Sequence, residues 1–548
     1  MNGNGKKDPN WYARLSDWIN KNGGYIHESL RLGEQSPDAR GIFTNTEIKK
    51  GTLLIRLPFS LAISGHGLPS EFEVKDILSE TTTRNASDWL RCTTEIFAAI
   101  KDSNLLEYTL SLPLSYETIL SEICWPNSKV KNYLGGTTLG KMILQDRTSS
   151  TLKTRFEKRV KPYLIVNNLV GNGESNSKTD DELFKVFEMA CACVSTRGFH
   201  LRDNVDEKSS RDKKGPFLLP FIDLLNHTSN PKDKCTTLRR QTVNSDPVGE
   251  KDFFLMSAER DISGGEEILH SYGSTLSSGQ LLQTFGFVET SLINRAIRLS
   301  FLSENQNAVT PAVLSLNSIV NACAKFASSH EREELENIIS QNPNLEDFDV
   351  WDLPSASDLE ARNSGEIRRS ITNDILINYY EPISEDLITL CCAQFLPFDA
   401  YTEICSGGEN DESMTLSTLS VDILEDFFLG SLVLKAIMLS IDDRLAEYST
   451  VLIPYRTTVN DGIAPTSEIE LDRASLEFLV KELEHDSRVC SASREDLVHA
   501  TYGLTLRIEE KSCLLKLKYE CNTRLKAILD MQEIECDENP SKRNKLND

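Results

Sequence analysis

A chain of 548 residues exceeds what one compact core supports and is expected to divide into two or three domains. Its composition, 39% hydrophobic and 26% charged, is that of a globular protein and excludes a membrane-embedded or wholly disordered chain. Eighty-three acidic against fifty-nine basic residues leave a net charge of −24, which repels nucleic-acid phosphate and would steer a basic partner inward.

The longest apolar stretch, Phe427 to Ser440, is broken by Lys435 and is too short to span a bilayer. The first ten residues, MNGNGKKDPN, have no apolar core of a secretion signal, so no membrane association is expected. Thirteen cysteines fall without a repeating spacing, and the nearest approach to a metal pattern, Cys191 and Cys193, has no second pair close by. They read as buried reduced thiols, and no metal is expected.

In chain order, Trp11 to Ile26 reads as a short helix, a Gly-Gly turn and a strand. Ala39 to Pro58 reads as two short strands around the Lys50-Gly51 turn. Between about 65 and 199 the apolar spacing becomes helical, in DWLRCTTEIFAAIKD, in SSTLKTRFEKRVKPYLIVNNLV and in DDELFKVFEMACACVSTRGF. The polar segment Val170 to Asp181 is expected to be a loop, and so is the charged stretch Asp203 to Pro216. Strand-like segments then return: FLLPFIDLLNH, the hairpin candidates KCTTLRRQTV and KDFFLMSAERDI, the turn SGGEE, and ILHSYG. No strand–helix–strand alternation appears, so a small β-rich domain interrupted by helices fits better than a parallel α/β sheet.

From about residue 292 onward the pattern is helical. VDILEDFFLGSLVLKAIML, SEIELDRASLEFLVKELEHD and IEEKSCLLKLKYECNTRLKAILDMQ predict a separate all-α lobe. The expected boundaries are an N-terminal helix and tail over 1–22, a β-rich domain over 23–290 with its helical insert at about 65–199, the helical lobe over 291–535, and a disordered tail over 536–548.

The stretch FIDLLNHTSN, Phe221 to Asn230, ends an apolar run on an amide and an imidazole. Asn beside Ser and Pro is ordinary turn chemistry. Its order relative to three other stretches changes that reading. ARGIF (39–43), STRGF (195–199), DLLNH (223–227) and GEEILHSYG (265–273) together resemble the motifs of SET-domain methyltransferases. They are most similar to the branch of the Rubisco large-subunit lysine methyltransferase and the fungal ribosomal-protein lysine methyltransferases. The helical insert, Leu112-Pro113, Trp125 followed by YLGGTTL, LLQTFGFVE (281–289), and RIEEKSCL (507–514) near the start of a last helix belong to the same resemblance.

The resemblance implies an α+β fold: a pseudoknotted, β-rich SET domain split by a helical insert, then an all-α substrate-binding lobe. It implies methyl transfer from S-adenosylmethionine to a protein lysine, with a basic protein of the large ribosomal subunit as substrate, in cytoplasm or nucleus. Tyr272 would be the catalytic residue and would also touch the cofactor. Arg40, Gly41, Arg197, Asn226 and His227 would hold the cofactor, His227 through its backbone. Phe285 and Phe287, with Arg197, would wall the lysine pocket. Where many relatives have Tyr-Gly-Phe this chain has Phe285-Gly286-Phe287, which removes a hydroxyl from that pocket. The cysteine-rich zinc segment that follows the SET core in many histone methyltransferases is missing, since no cysteine lies between Cys235 and Cys323.

Other readings are a histone, a translation factor or a histidine as acceptor, or a catalytically silent SET scaffold. Keeping Asn226, His227 and Tyr272 together counts against silence. A Rossmann-type methyltransferase is disfavoured because the Gly-x-Gly runs at 3–5 and 171–173 lie in polar loops and the one at 65–67 does not continue to Gly-x-Gly-x-x-Gly. A zinc hydrolase is disfavoured because the eight histidines never fall at ligand spacing.

Overall fold

A computed structural model describes residues 10–36, 39–64, 105–112, 124–149, 151–166, 180–202, 213–245, 249–273, 275–299, 309–315, 374–380, 427–448, 468–485 and 493–538, with a few positions between them. The chain forms two units, one of residues 1–130 and 142–289, the other of 131–141 and 290–548.

The first unit opens with the helix Trp11–Lys21, which buries Trp11, Leu15 and Ile19, one residue per turn on one face. Gly23, at φ 84°, supplies the left-handed residue that turns the chain into β1 (Tyr25–Ile26). β2 (Leu30–Ser36) and β3 (Ala39–Thr44) pair antiparallel. A four-stranded sheet runs in the order β1, β4 (Leu53–Pro58), β8 (Gly249–Ala258), β7 (Thr236–Ser245). The hairpin candidates form this β7–β8 pair in continuous register from Thr236 opposite Ala258 to Ser245 opposite Gly249. The alternating Phe254, Met256 and Ala258 face the core.

The insert supplies Leu106–Ser111, Asn127–Leu134, Thr138–Ser149, Thr151–Val166 (with one π turn at Phe156–Val160) and Asp180–Arg197. Most of DWLRCTTEIFAAIKD and of the polar segment 170–181 lies outside the described residues, as does the tail from 539.

Three expectations need correction here. The charged stretch 203–216 is not all loop: Lys213–Leu218 forms β6 and pairs with β5 (Gly198–Arg202). FLLPFIDLLNH does not continue as a strand. Pro220 lacks a backbone donor, Phe221 takes φ 71°, and Ile222–Leu224 is a 3-10 turn. A bulky residue at positive φ stores about 1–3 kcal/mol of strain; the fully buried Phe221 ring, 5.3 Å from Tyr12, holds it there. ILHSYG belongs to no ladder among the described residues, and its one bridge there joins His270 to His227.

The second unit is predominantly helical among its described residues, with Thr290–Arg298, Phe427–Ala446, Glu468–His485 and the 45-residue helix Arg494–Glu538. It is not all-α: β9 (Ala312–Ser315) and β10 (Asp374–Ile377) form an antiparallel pair. RIEEKSCL lies well inside the long helix rather than near its start. Its charged residues are buried and each is matched. Glu509 pairs with Arg295 at 2.6 Å and accepts from the Thr310 amide at 3.0 Å. Glu510 accepts from Arg444 at 3.2 Å, Tyr448 at 2.5 Å and the Thr138 amide at 3.0 Å. Lys511 meets Asp472 at 2.8 Å, and Arg507 donates to the Gly135 carbonyl at 3.1 Å. Buried charge survives in a core only with such partners.

Candidate active site

Residues 265–270 lie between two other segments and bond to both. On one side, the Ile268 amide donates to the Ile42 carbonyl at 2.7 Å and the Thr44 amide to the Glu266 carbonyl at 3.0 Å. On the other, the His270 amide donates to Asn226 O at 2.9 Å, the Thr228 amide to His270 O at 3.1 Å and the Cys235 amide to Leu269 O at 3.0 Å. This brings ARGIF, DLLNH and GEEILHSYG together.

Asn226 locks the junction. Its Nδ2 donates to the Arg40 carbonyl and to Glu267 Oε1, both at 2.8 Å. Both amide hydrogens are thereby spent on the protein itself. Gly41 is required at the same place for a reason the sequence does not show. A Cβ there would come within 2.0 Å of Glu267 Oε1 and 3.0 Å of Asn226 Nδ2. The space beside Gly41 is filled by a carboxylate.

His227 pairs with His270 in a parallel bridge. In such a bridge the flanking peptide groups bond the partner, and the residue's own N–H and C=O face the other way. Accordingly, the His227 main chain makes no hydrogen bond to a described residue. Its ring is fully used: Nδ1 accepts from the Tyr272 amide at 3.0 Å, so Nε2 bears the proton and meets Ser229 Oγ at 3.1 Å. Burial lowers its pKa below the ordinary value, which keeps it in this neutral form.

The Tyr272 phenol donates to the Leu225 carbonyl at 2.6 Å. With its proton committed, the oxygen is left with acceptor capacity only. Burial raises its pKa well beyond neutral pH, so it is no general base. Four rings cluster here: Tyr272 lies 4.7 Å from Phe285, 4.9 Å from His227 and 6.4 Å from Phe287. The helix Ser278–Phe285 sets the two phenylalanines. A Ser277/Gln280 capping box starts it and left-handed Gly286 ends it, turning Phe287 back towards Tyr272.

Arg197, the last residue of its helix, is no exposed terminus. Its Nη1 donates to the Asp223 main-chain oxygen at 2.9 Å and to Asp223 Oδ2 at 3.3 Å. The Tyr108 phenol donates to the same Oδ2 at 3.1 Å. Burial is the largest single influence and works to lower the Arg197 pKa, but Asp223, Cys193, Tyr108 and Tyr272 together outweigh it and the net shift is upward. Arg40 is lowered to about 10 by burial and then by Arg197, and remains charged at neutral pH. It lies over the Trp11 ring at 5.1 Å and makes no ion pair with a described residue.

Arg197, Asp223, His270, Tyr272 and Phe285 line one cleft of about 1120 Å³. Arg40, Gly41, Asn226, His227 and Phe287 are not among the residues that line it. Two buried polar atoms at the cleft, Arg197 Nε and Asp223 Oδ1, have no hydrogen-bond partner among the described residues. Sequence reasoning assigned no role to Asp223, Glu267 or Tyr108. The first two lie inside the quoted motifs, but nothing in the sequence names their partners 26, 41 and 115 residues away. Among the described residues no cluster of His, Cys, Asp or Glu is arranged for a metal, and no helix is long and apolar enough to cross a membrane.

Comparison with known proteins agrees with this geometry. Residues 39–273 match the SET domain family. An uncharacterized protein of Schizosaccharomyces pombe is 23% identical over 51% of this chain and 55% of its own length. The N-lysine methyltransferase setd6 of Salmo salar is 20% identical over 50% of this chain and 56% of its own. The chain thus spans about half the length of the curated relatives it matches. Among solved structures, the SET domain of LSMT bound to lysine and AdoHcy superposes with a TM-score of 0.56 at 14% identity, over 98% of this chain and 99% of that one. Rubisco LSMT bound to AdoMet gives 0.55 at 16% identity over the same shares. The chain therefore carries a SET domain over residues 39–273, within a fold like that of Rubisco LSMT and with a helical C-terminal region.

Proposed function

We propose that the protein transfers a methyl group from S-adenosylmethionine to the side-chain amine of a protein lysine. The observation that carries this is the phenol of Tyr272, its proton committed to Leu225, set among His227, Phe285 and Phe287 at the end of a cleft.

The residues present fit the cofactor. The His227 main chain is open, Arg40 is a cation without a carboxylate of its own, and Arg197 Nε is buried without a partner. Arg40, the Gly41 main chain, Arg197 and the His227 main chain would hold it, and Tyr272 would face it; Asn226, its amide hydrogens committed to Arg40 and Glu267, could offer only its Oδ1. When bound, S-adenosylmethionine would supply a methyl group on a sulfonium, open to in-line attack at carbon by an amine lone pair as the carbon–sulfur bond breaks and S-adenosylhomocysteine leaves. The protein has to deliver that amine neutral. A free lysine, with pKa about 10.4, costs on the order of 4.6 kcal/mol to deprotonate at pH 7. An aromatic channel reduces that cost by disfavouring the ammonium form. Tyr272, Phe285 and Phe287 form such a wall, exclude water, and hold the amine in position.

The substrate we infer is a basic protein, of which a large-subunit ribosomal protein is the favoured case. The net charge of −24 and the resemblance to ribosomal-protein lysine methyltransferases support it. The cytoplasm or nucleus follows from that choice. The domain roles follow too, with residues 23–290 carrying the chemistry and 291–535 docking the substrate. Calorimetric titration with S-adenosylmethionine, and transfer of labelled methyl to purified ribosomal proteins, test the reading. Tyr272→Phe keeps the ring and removes the acceptor oxygen. Two or three carbon–hydrogen contacts of about 0.5–1 kcal/mol each, about 1.4–2.7 kcal/mol together, predict a fall in kcat of roughly 10- to 100-fold, with the fold intact. Unchanged turnover would remove Tyr272 from the reaction. Binding of cofactor without transfer to any protein would favour a scaffold instead.

A further inference from the structure

We propose that Asp223 is a positioning residue for the amine site, its carboxylate fixing the Arg197 guanidinium at the cleft and balancing that cation beside Tyr272. The inference rests on the lysine methyl-transfer reading above and adds a residue that reading does not use.

The side chain of Asp223 is 1% exposed, and that of Arg197 17%. One oxygen of the carboxylate takes two donors, Arg197 at 3.3 Å and the Tyr108 phenol at 3.1 Å. The other oxygen takes none. A buried ion pair left half-satisfied is costly to keep, and a structural core would be as stable with an apolar pair. Its place argues for a task. Asp223 and Arg197 both line the cleft with Tyr272. Two residues on, the Leu225 carbonyl receives the Tyr272 phenol, and the next residue is Asn226. Fixing Asp223 therefore fixes the carbonyl that orients the phenol. Tyr108 comes from the insert helix Leu106–Ser111, so the insert reaches the reacting residues through this carboxylate.

The charges facing the pair give the second half of the argument. Arg40 from β3 and Arg197 from the helix Asp180–Arg197 are cations; Asp223 and Glu267 are carboxylates. The Tyr108 and Tyr272 phenols and the Cys193 thiol also act on Arg197, and the same cleft is lined by Lys234, Glu259, His200 and His270, an opposite-charge pair and two imidazoles that the substitution leaves unchanged. The balance is two against two. Replacing Asp223 by a neutral isostere leaves an excess cation beside the amine, which disfavours lysine ammonium. The pH at which the amine becomes reactive then moves down by about one unit. A residue that only holds the fold would not move that midpoint.

The test is kcat at saturating S-adenosylmethionine, followed over about pH 6–10, for the full chain and two variants. Asp223→Asn is expected to lower the limiting rate by roughly tenfold or more and to shift the midpoint to lower pH. Tyr108→Phe keeps the charge, so its midpoint should stay while its rate falls several-fold at unchanged KM. A folded Asp223→Asn protein with the wild-type midpoint overturns the proposal. If Asp223→Asn does not fold, Tyr108→Phe decides, and a wild-type rate there overturns it. Wild-type protein that transfers no methyl to any protein instead sinks the underlying reading, so the two failures are separable.

Discussion

Asn226→Ala is the perturbation whose size the structure fixes best. The amide makes one bond to a neutral carbonyl, Arg40 O, and one to a carboxylate, Glu267 Oε1, each at 2.8 Å. A neutral hydrogen bond is worth about 1 kcal/mol and one to a charged group about 1.5–3 kcal/mol, so the loss is about 2.5–4 kcal/mol. For a unit of this size each kcal/mol lowers Tm by roughly 2–4 °C, giving a fall of roughly 5–15 °C. Asn226→Asp is the sharper variant. It has the same shape, but puts a second carboxylate against Glu267, and should cost more than the alanine. Scanning calorimetry on the full chain, following the transition of the first unit, reads both. If both variants melted within about 1 °C of wild type, Asn226 would not be what ties β3, DLLNH and GEEILHSYG together.

Gly41→Ala drives a methyl into the Glu267 carboxylate that Asn226 holds, and should destabilise by about 1–3 kcal/mol in urea denaturation. Acid should loosen the first unit before its bulk carboxylates titrate. Burial first, then Lys234, lowers the His270 pKa to about 4. The unfolded chain, with a histidine pKa near 6.5, therefore binds the proton first. Stability is complete above about pH 6.5 and falls as pH drops towards about 4, by about 2–3 kcal/mol after allowing for partial exposure. His227, lowered in the same direction, adds to the loss. Urea midpoints at about pH 7 and about pH 5 measure it, and His270→Asn should flatten the difference. In the second unit, Glu510→Ala strips the carboxylate from Arg444 and Tyr448. It should cost about 3–5 kcal/mol, read as early loss of helical circular dichroism.

What was legible in the sequence follows the range of the forces involved. The Trp11–Lys21 helix and the β7–β8 hairpin carry their own periodicity, so pattern alone finds them. β2 carries arginine, glycine and glutamate among its seven residues and hides from such a reading. ILHSYG alternates like a strand, yet its neighbours approach it at single points, so no ladder forms. The RIEEK charges are buried because partners from 39 to 372 residues away meet them, which no local pattern shows. At the site, motif order brought Asn226, His227 and Tyr272 to attention. It did not show that the Asn226 amide binds protein, or that Arg197 is tied to Asp223. Both facts depend on which loops fold against which.

Methyl transfer by wild type and by Tyr272→Phe, with labelled S-adenosylmethionine and purified large-subunit ribosomal proteins, reads the central claim most directly. The account predicts label on a lysine of one protein, falling at least tenfold with the phenylalanine variant while cofactor still binds. Label of equal intensity from both enzymes, or none on any protein of a whole lysate, would contradict it.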